Sequence, residues 1–332
     1  MSRTVLVTDY AWPTLDVERA VLAEADAELL VAETGDEEEL IALAPYADAI
    51  MTCWQRVTAS VLEAADHCVT VARYGVGLDN IDVAAATNLG MVVTNVPEFC
   101  TTEVADHTMA LLLGHARHIA RFAGLTSGGG WDNRAFGPMR RLGGQVLGLV
   151  GYGNIAQQVA QRAQAFGYDV IAYSPSRAGR PPENGVRFAR RLVDLLREAD
   201  AVSLHMPLTP DTRHVIGRAA LAEMKAGALL VNTSRGALVN EEALVEALED
   251  GRIGGAALDV LDGEPPPASH PLLALPSVIV TPHAAFDSVE AIAELQGTAA
   301  RNVVAVLLGE RPATVVNPDV WAARAEASRE DQ

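Results

Sequence analysis

The sequence predicts an α/β protein built from two parallel sheets, each covered by helices. Short apolar runs of strand length alternate with helix-length segments. The alternation occurs twice, with a polar and basic stretch between the two series. The second series opens on a strand that runs straight into a glycine-rich turn. The 332 residues are enough for two domains, each with its own core.

The first series starts with a strand at residues 4–8 and an Ala/Glu-rich helical stretch to about residue 28. Strands are predicted at 29–32, Ala49–Thr52 and 69–72, with helix before the third of the four. A long helix over 101–123 carries apolar Val104, Met109, Leu112 and Leu113, and breaks at Ser127-Gly128-Gly129-Gly130. After the irregular residues 131–141, strands are read at Val146–Val150, 170–173, 201–205, Leu229–Asn232 and 278–281. The last forty or so residues return to helix and loop, and their polar end is expected to fray.

Composition excludes several classes of function. Lys and Arg number 25 against 43 Asp and Glu, a formal charge of −18, which opposes a nucleic-acid or anionic-membrane surface. A local basic pocket for a small anion remains compatible with that balance. Cys53, Cys68 and Cys100 form no Cys-x-x-Cys pair, so neither a disulfide framework nor a thiolate zinc site is expected. His115 and His118 share a helix face without a His-Glu-x-x-His pattern, and no metal is expected there. The first apolar run is too short for a signal peptide, and no stretch approaches the roughly 18 apolar residues of a membrane span. The expectation is a cytoplasmic protein.

The strand Val146-Leu147-Gly148-Leu149-Val150 leads into Gly151-Tyr152-Gly153-Asn154-Ile155-Ala156. Ile155, Val159, Ala163 and Phe166 follow at helical spacing, and a second strand starts near Val170. In this βαβ setting the glycine pattern reads as a dinucleotide-binding turn. Gly151 permits the tight turn, Gly153 lets backbone approach a pyrophosphate, and Ala156 keeps helix and strand close. The helix start at Asn154 and Ile155 then offers N–H groups and a positive dipole end to phosphates.

A carboxylate at the end of the second strand would bond a ribose 2′-OH and repel a 2′-phosphate. This chain has Tyr173-Ser174-Pro175-Ser176-Arg177, with Arg180 close behind. Ser174, Ser176 and Arg177 suit a phosphate, so NADP(H) is preferred and NAD(H) remains possible. The plainer reading is that Ser174 tolerates NAD while the arginines lie in solvent.

Further motifs stand at strand ends: Arg73-Tyr74-Gly75-Val76-Gly77-Leu78-Asp79-Asn80-Ile81-Asp82, Asn95-Val96-Pro97 and His205-Met206-Pro207-Leu208-Thr209. Later come Val231-Asn232-Thr233-Ser234-Arg235-Gly236, Leu258-Asp259-Val260-Leu261-Asp262-Gly263-Glu264-Pro265 and Thr281-Pro282-His283-Ala284-Ala285. With these in order from about residue 49 to 317, the chain resembles the D-isomer-specific 2-hydroxyacid dehydrogenase family. Residues 95–107 look most like the branch that includes C-terminal-binding-protein corepressors.

The resemblance implies two Rossmann-like lobes, a nucleotide-binding lobe inserted into a flavodoxin-like substrate lobe. Residues 1–100 and 289–332 would form the substrate domain and 101–288 the dinucleotide domain, with a cleft that closes on substrate. It implies that Arg235 clamps the substrate carboxylate and C2 oxygen, a task suited to a planar guanidinium fork. His283 would exchange a proton with that oxygen as general acid or base. Glu264 would hold the imidazole and stabilise its cation. The backbone N–H groups of Val76 and Gly77 would meet the carboxylate, with Trp54 and Tyr74 bordering its side chain. Asp259 would bond the nicotinamide carboxamide, with Thr233 among the cofactor-binding residues. From position alone, His205 and Pro207, just after a strand end, are read as lining the adenine or ribose side of the cofactor, and His107, on the helix after Asn95-Val96-Pro97, as structural. The implied partners are a small 2-oxo or 2-hydroxy acid and a second copy of the chain in a homodimer.

The expected reaction is reversible, nicotinamide-dependent reduction of a 2-oxo acid to a D-2-hydroxy acid. The alternatives are a cofactor-dependent, corepressor-like binding protein with little turnover and a phosphite- or phosphonate-directed oxidoreductase. Glyoxylate, hydroxypyruvate, aromatic 2-oxo acids and phosphonate analogues are not ranked by the sequence.

Overall fold

The computed structural model describes residues 2–330, which divide into two compact units. One comprises the chain up to Phe99 and from Ser288 onward, and the other is Cys100–Asp287. The second unit is therefore an insertion in the chain of the first.

The discontinuous unit alternates β1 (Arg3–Val7), α1 (Asp16–Leu22), β2 (Ala27–Val31), α2 (Glu37–Leu43), β3 (Ala49–Thr52), α3 (Ala59–Glu63), β4 (Thr70–Arg73), α4 (Val83–Asn88) and β5 (Val92–Thr94). Its five strands are parallel in the order β2-β1-β3-β4-β5, the flavodoxin-like order. Leu6, Ile50, Val71 and Val93 are completely buried, as expected of strands covered on both faces.

The inserted unit begins with α5 (Thr101–Ala116) and α6 (Ile119–Ser127). The nucleotide-type series follows: β6 (Val146–Val150), α7 (Asn154–Ala165), β7 (Asp169–Tyr173), β8 (Val186–Phe188), α8 (Leu192–Glu198), β9 (Ala201–Leu204) and α9 (Arg218–Glu223). It finishes with β10 (Leu229–Asn232), α10 (Glu241–Glu249), β11 (Gly255–Leu258), α11 (Pro271–Ala274) and β12 (Val278–Val280). The sheet order is β12-β11-β10-β9-β6-β7-β8, all parallel, with Leu147 in register with Ala201 across β6 and β9. That is the doubly wound order with one added strand, and its direction reverses between β6 and β9. The chain then returns to the first unit through α12 (Val289–Leu307) and α13 (Pro318–Glu330).

The structure adds strands β5, β8 and β11 to those anticipated. Each has a local reason for being weak in sequence: β5 and β8 hold three residues, and Gly255-Ala256-Ala257-Leu258 has little β-branched character. The helix anticipated over 101–123 is two helices, because His118 takes a left-handed backbone (φ 54°) between them. The polar end is helical to Glu330, and its last two residues lie outside the described ones.

Candidate active site

In an open parallel sheet, function gathers beyond the carboxyl ends of the strands, above all where the order reverses. In the inserted unit that point is the turn after β6. Gly151 has φ +97°, and a Cβ there would lie 2.1 Å from the His205 carbonyl oxygen, so only glycine fits. Gly153 is different: a Cβ built on it meets nothing within 4 Å. Gly153 is also the residue that caps α7, and having no side chain it makes no side-chain cap to that helix start. Open space against a helix start fits an approaching pyrophosphate.

At the end of β7, Ser174 and Ser176 lie with their hydroxyls 3.2 Å apart. The Arg177 guanidinium stands 5.3 Å from the Tyr152 ring centroid and 5.8 Å from that of Phe188, and pairs with Glu183. Arg177 is thus neither loose in solvent nor without a counter-charge. His205 turns its ring toward the sheet, with Nε2 2.9 Å from Ser203 Oγ, and burial pushes its pKa down to about 4.

The loop after β10 is held by side chains that belong to it. Buried Asn232 accepts from the Ser234 N–H (3.0 Å) and donates to the Arg235 carbonyl (2.8 Å). Ser234 Oγ donates to the Leu204 carbonyl at 2.7 Å, tying this loop to the end of β9. Gly236 then allows close approach to the loop after β11, since a Cβ on it would sit 1.9 Å from the Leu261 carbonyl carbon. That contact brings the Arg235 segment beside the one that carries Glu264.

His283 lies on the loop after β12 with a left-handed backbone, φ 52°. A non-glycine residue holds that conformation only where its surroundings enforce it. Here the enforcing group is Asp259, which is 1% exposed. Its carboxylate accepts from Thr281 Oγ1 (2.5 Å) and from the N–H groups of Ala284 and Ala285 (both 2.9 Å). Its own carbonyl accepts the His283 N–H at 2.8 Å.

The imidazole so placed has Nδ1 2.6 Å from Glu264 Oε2, while Glu264 Oε1 accepts the Leu261 N–H at 2.8 Å. Burial pushes the Glu264 carboxyl up. The hydrogen bond and charge of His283, the Leu261 N–H and the Arg235 charge outweigh it and hold the carboxyl below its ordinary value. Glu264 is accordingly a carboxylate facing an imidazole, with the Arg235 charge close enough to be felt. This arrangement can orient a histidine for proton transfer and stabilise its cation.

In the discontinuous unit, described by itself, the 75–77 loop is pinned by Asn95, whose Nδ2 donates to the Val76 carbonyl at 2.9 Å. Trp54 is 43% exposed, and Asp9 gathers the N–H groups of Cys53, Trp54 and Gln55 at 2.9, 2.6 and 3.2 Å. Tyr74 does not border open space as expected. Its ring is 2% exposed, edge-on to Trp12 at 4.8 Å, and its hydroxyl is engaged by Glu18 and Met51.

Asp9, Asn95 and Asn232 were not singled out as site residues from the sequence. Each acts on backbone from a distance in the chain or within a turn. Only the motif containing Asn95 and that containing Asn232 offered a signal.

Residues 109–285 match the family described as D-isomer specific 2-hydroxyacid dehydrogenase, NAD binding domain. The chain is 41% identical over 315 residues to a D-3-phosphoglycerate dehydrogenase of Methanocaldococcus jannaschii, covering 94% of this chain and 59% of that protein's length. It is 42% identical over 295 residues to a glyoxylate reductase of Aeropyrum pernix, covering 86% of this chain and 88% of the relative. Among solved structures, an NADPH-dependent glyoxylate/hydroxypyruvate reductase from Sinorhizobium meliloti, in complex with NADP and malonate, superposes with TM-score 0.81 at 28% identity, covering 95% and 97% of the two chains. A doubly wound sheet with its glycine turn, a paired histidine and glutamate at the adjoining strand ends, and these matches lead to one assignment: the chain belongs to the D-isomer-specific 2-hydroxyacid dehydrogenase family of NAD(P)-dependent oxidoreductases.

Proposed function

We propose that this protein reduces a small 2-oxo acid to the D-2-hydroxy acid, reversibly, with His283 as the acid–base group. The observation that carries the reading is the 2.6 Å contact between His283 and an ionised Glu264 within reach of the Arg235 charge. A reduced nicotinamide, when bound, supplies the hydride. Arg235 binds the carboxylate and C2 oxygen of the acid, which fixes the carbonyl and draws electron density toward its oxygen. His283 delivers a proton to that oxygen, and Glu264 stabilises the imidazolium from which it comes. The N–H groups of Val76 and Gly77 are assigned to the substrate carboxylate, and exposed Trp54 to its side chain.

Gly151, Gly153, Asn154 and Ile155 would hold the pyrophosphate, and Ser174, Ser176 and Arg177 the adenosine ribose. Pro207, Thr233 and Asp259 are assigned to the rest of the dinucleotide. His205 is assigned to it by its backbone, since its ring bonds Ser203. Preference for NADPH rests on the absence of a carboxylate at Ser174. Displacing Glu183 from Arg177 is the step by which a 2′-phosphate would gain that guanidinium. Relatives named as glyoxylate and hydroxypyruvate reductases support a small substrate. A homodimer is part of the proposal.

The test is oxidation of NADPH and of NADH by the purified protein over a panel of 2-oxo acids, led by glyoxylate and hydroxypyruvate. Turnover with the D-hydroxy product supports the reading and ranks the acids. Tight cofactor binding without turnover on any of them would overturn it. Light scattering of the same preparation checks the dimer.

A further inference from the structure

Helix α5 lies against the sheet of the inserted unit, packed on β10 and β11. Its far end is anchored by His115, whose Nε2 is 3.1 Å from the Ser277 carbonyl. Gly255, the first residue of β11, makes room for that ring, since a Cβ there would lie 2.0 Å from His115 Nε2. The helix therefore runs back along β11, placing its first two turns at the end of the sheet where the catalytic loops emerge.

Two consecutive residues of α5 meet two of those loops. His107 Nε2 lies 3.0 Å from Thr281 Oγ1 and 3.5 Å from Asp259 Oδ1. Thr108 Oγ1 lies 2.8 Å from Thr233 Oγ1. Neighbouring helix positions point about 100° apart, which lets one turn reach both β10 and β12, two strands distant in the sheet. Donor direction follows from the remaining bonds. Thr281 gives its proton to Asp259, so His107 carries hydrogen on Nε2 and donates to Thr281. Thr108 gives its proton to the Val104 carbonyl, so Thr233 donates to Thr108.

We propose that His107 and Thr108 are positioning residues for the reaction: His107 fixes the His283 loop through Thr281 and Asp259, and Thr108 fixes the Arg235 loop through Thr233. Neither residue touches the reacting groups. The chain from His107 ends on the carboxylate that holds 284 and 285 and enforces the left-handed backbone of His283. The Thr108 contact sits two residues before Arg235, on the loop that carries it. The inference rests on the proposed roles of His283 and Arg235.

The experiment compares His107→Leu, His107→Gln and Thr108→Val with the native enzyme, each preparation normalised by cofactor titration so that only folded sites are counted. His107→Leu is expected to lower kcat roughly 10- to 100-fold with little change in the KM of the 2-oxo acid. His107→Gln, which keeps an N–H near the same place, restores most of that loss. Thr108→Val is expected to act mainly on KM. Native kcat and KM in the Leu and Val variants, or equal losses in both that Gln does not relieve, would overturn the proposal while leaving the activity in place. If the native protein turns over no 2-oxo acid, the functional reading fails separately, and positioning is read from the His283 Nδ1 proton by NMR. Its resonance should move in His107→Leu and return in His107→Gln; an unmoved resonance overturns the inference.

Discussion

Glu264 faces His283 with one carboxylate oxygen and the Leu261 N–H with the other, at 2.6 and 2.8 Å. The carboxylate is thereby held in one orientation and stays ionised below the pH at which a free glutamate would protonate. His283→Ala is expected to lower kcat by about 10²- to 10⁴-fold while cofactor affinity is retained, as steady-state kinetics and fluorescence titration would show. Glu264→Gln keeps the shape but loses the charge, so kcat should fall with a smaller change in KM. Near-native kcat in His283→Ala would mean that another group moves the proton.

The two glycines of the turn after β6 make opposite predictions. A methyl group on Gly153 meets open space, so Gly153→Ala should leave the melting of the cofactor-free protein within about 0.5 kcal/mol of native. Its cofactor Kd should nevertheless rise at least ~10-fold if the proposed pyrophosphate contact is made at that surface. Gly151→Ala drives a methyl into the His205 carbonyl and should lower stability with or without cofactor. Calorimetry with and without NADPH separates the two cases.

Ser174→Asp tests the cofactor preference. A carboxylate there would repel a 2′-phosphate and accept from a ribose hydroxyl. The ratio of kcat/KM for NADPH to that for NADH should fall by about tenfold or more. Replacing Glu183 with Gln should move the ratio the other way, since Arg177 would lose its present partner.

His205 predicts a dependence of stability on pH. Its folded pKa of about 4 lies below the ordinary value of 6.5, so between those values the unfolded chain takes up a proton that the folded chain refuses. The stabilisation is complete above pH 6.5 and lost as pH falls toward 4. From pH 7 to pH 5 this amounts to about 2 kcal/mol. His205→Gln should remove that part of the slope, measured by urea unfolding of both proteins at the two pH values.

The glycine turn and the strand Leu229–Asn232 were legible because their chemistry is local, whereas the loops bearing Arg235, Glu264 and His283 stood out only as polar residues at strand ends and took their assigned roles from the family resemblance. Glycine at a strand-to-helix turn and polar residues at strand ends have physical meanings that do not depend on distant contacts. Less was legible where a residue's role is decided by a partner far along the chain. Tyr74 is expected from its motif to border the substrate's side chain, and only Glu18 and Trp12 reveal that it is core. His107 looks structural until Thr281 and Asp259, more than 150 residues later, are placed beside it. The break in the long helix at His118 carries no proline or glycine to announce it.

The interrupted course of the first unit has a consequence for how the protein is made. Helix α12 packs on α1 and β4, and its buried Asn302 donates to the Asn95 carbonyl at 3.3 Å, behind the side chain that pins the 75–77 loop. Asn317 reaches β5 in the same way, accepting the Val93 N–H at 2.8 Å. At ~5–20 residues per second, a ribosome needs roughly 10 to 40 s to deliver the intervening insertion. For that interval the N-terminal sheet is exposed on the face that α12 later covers, while the inserted unit can already close. A nascent chain of this protein therefore finishes its later-starting domain first, and the earlier one waits, open to chaperones, for the helix that completes it.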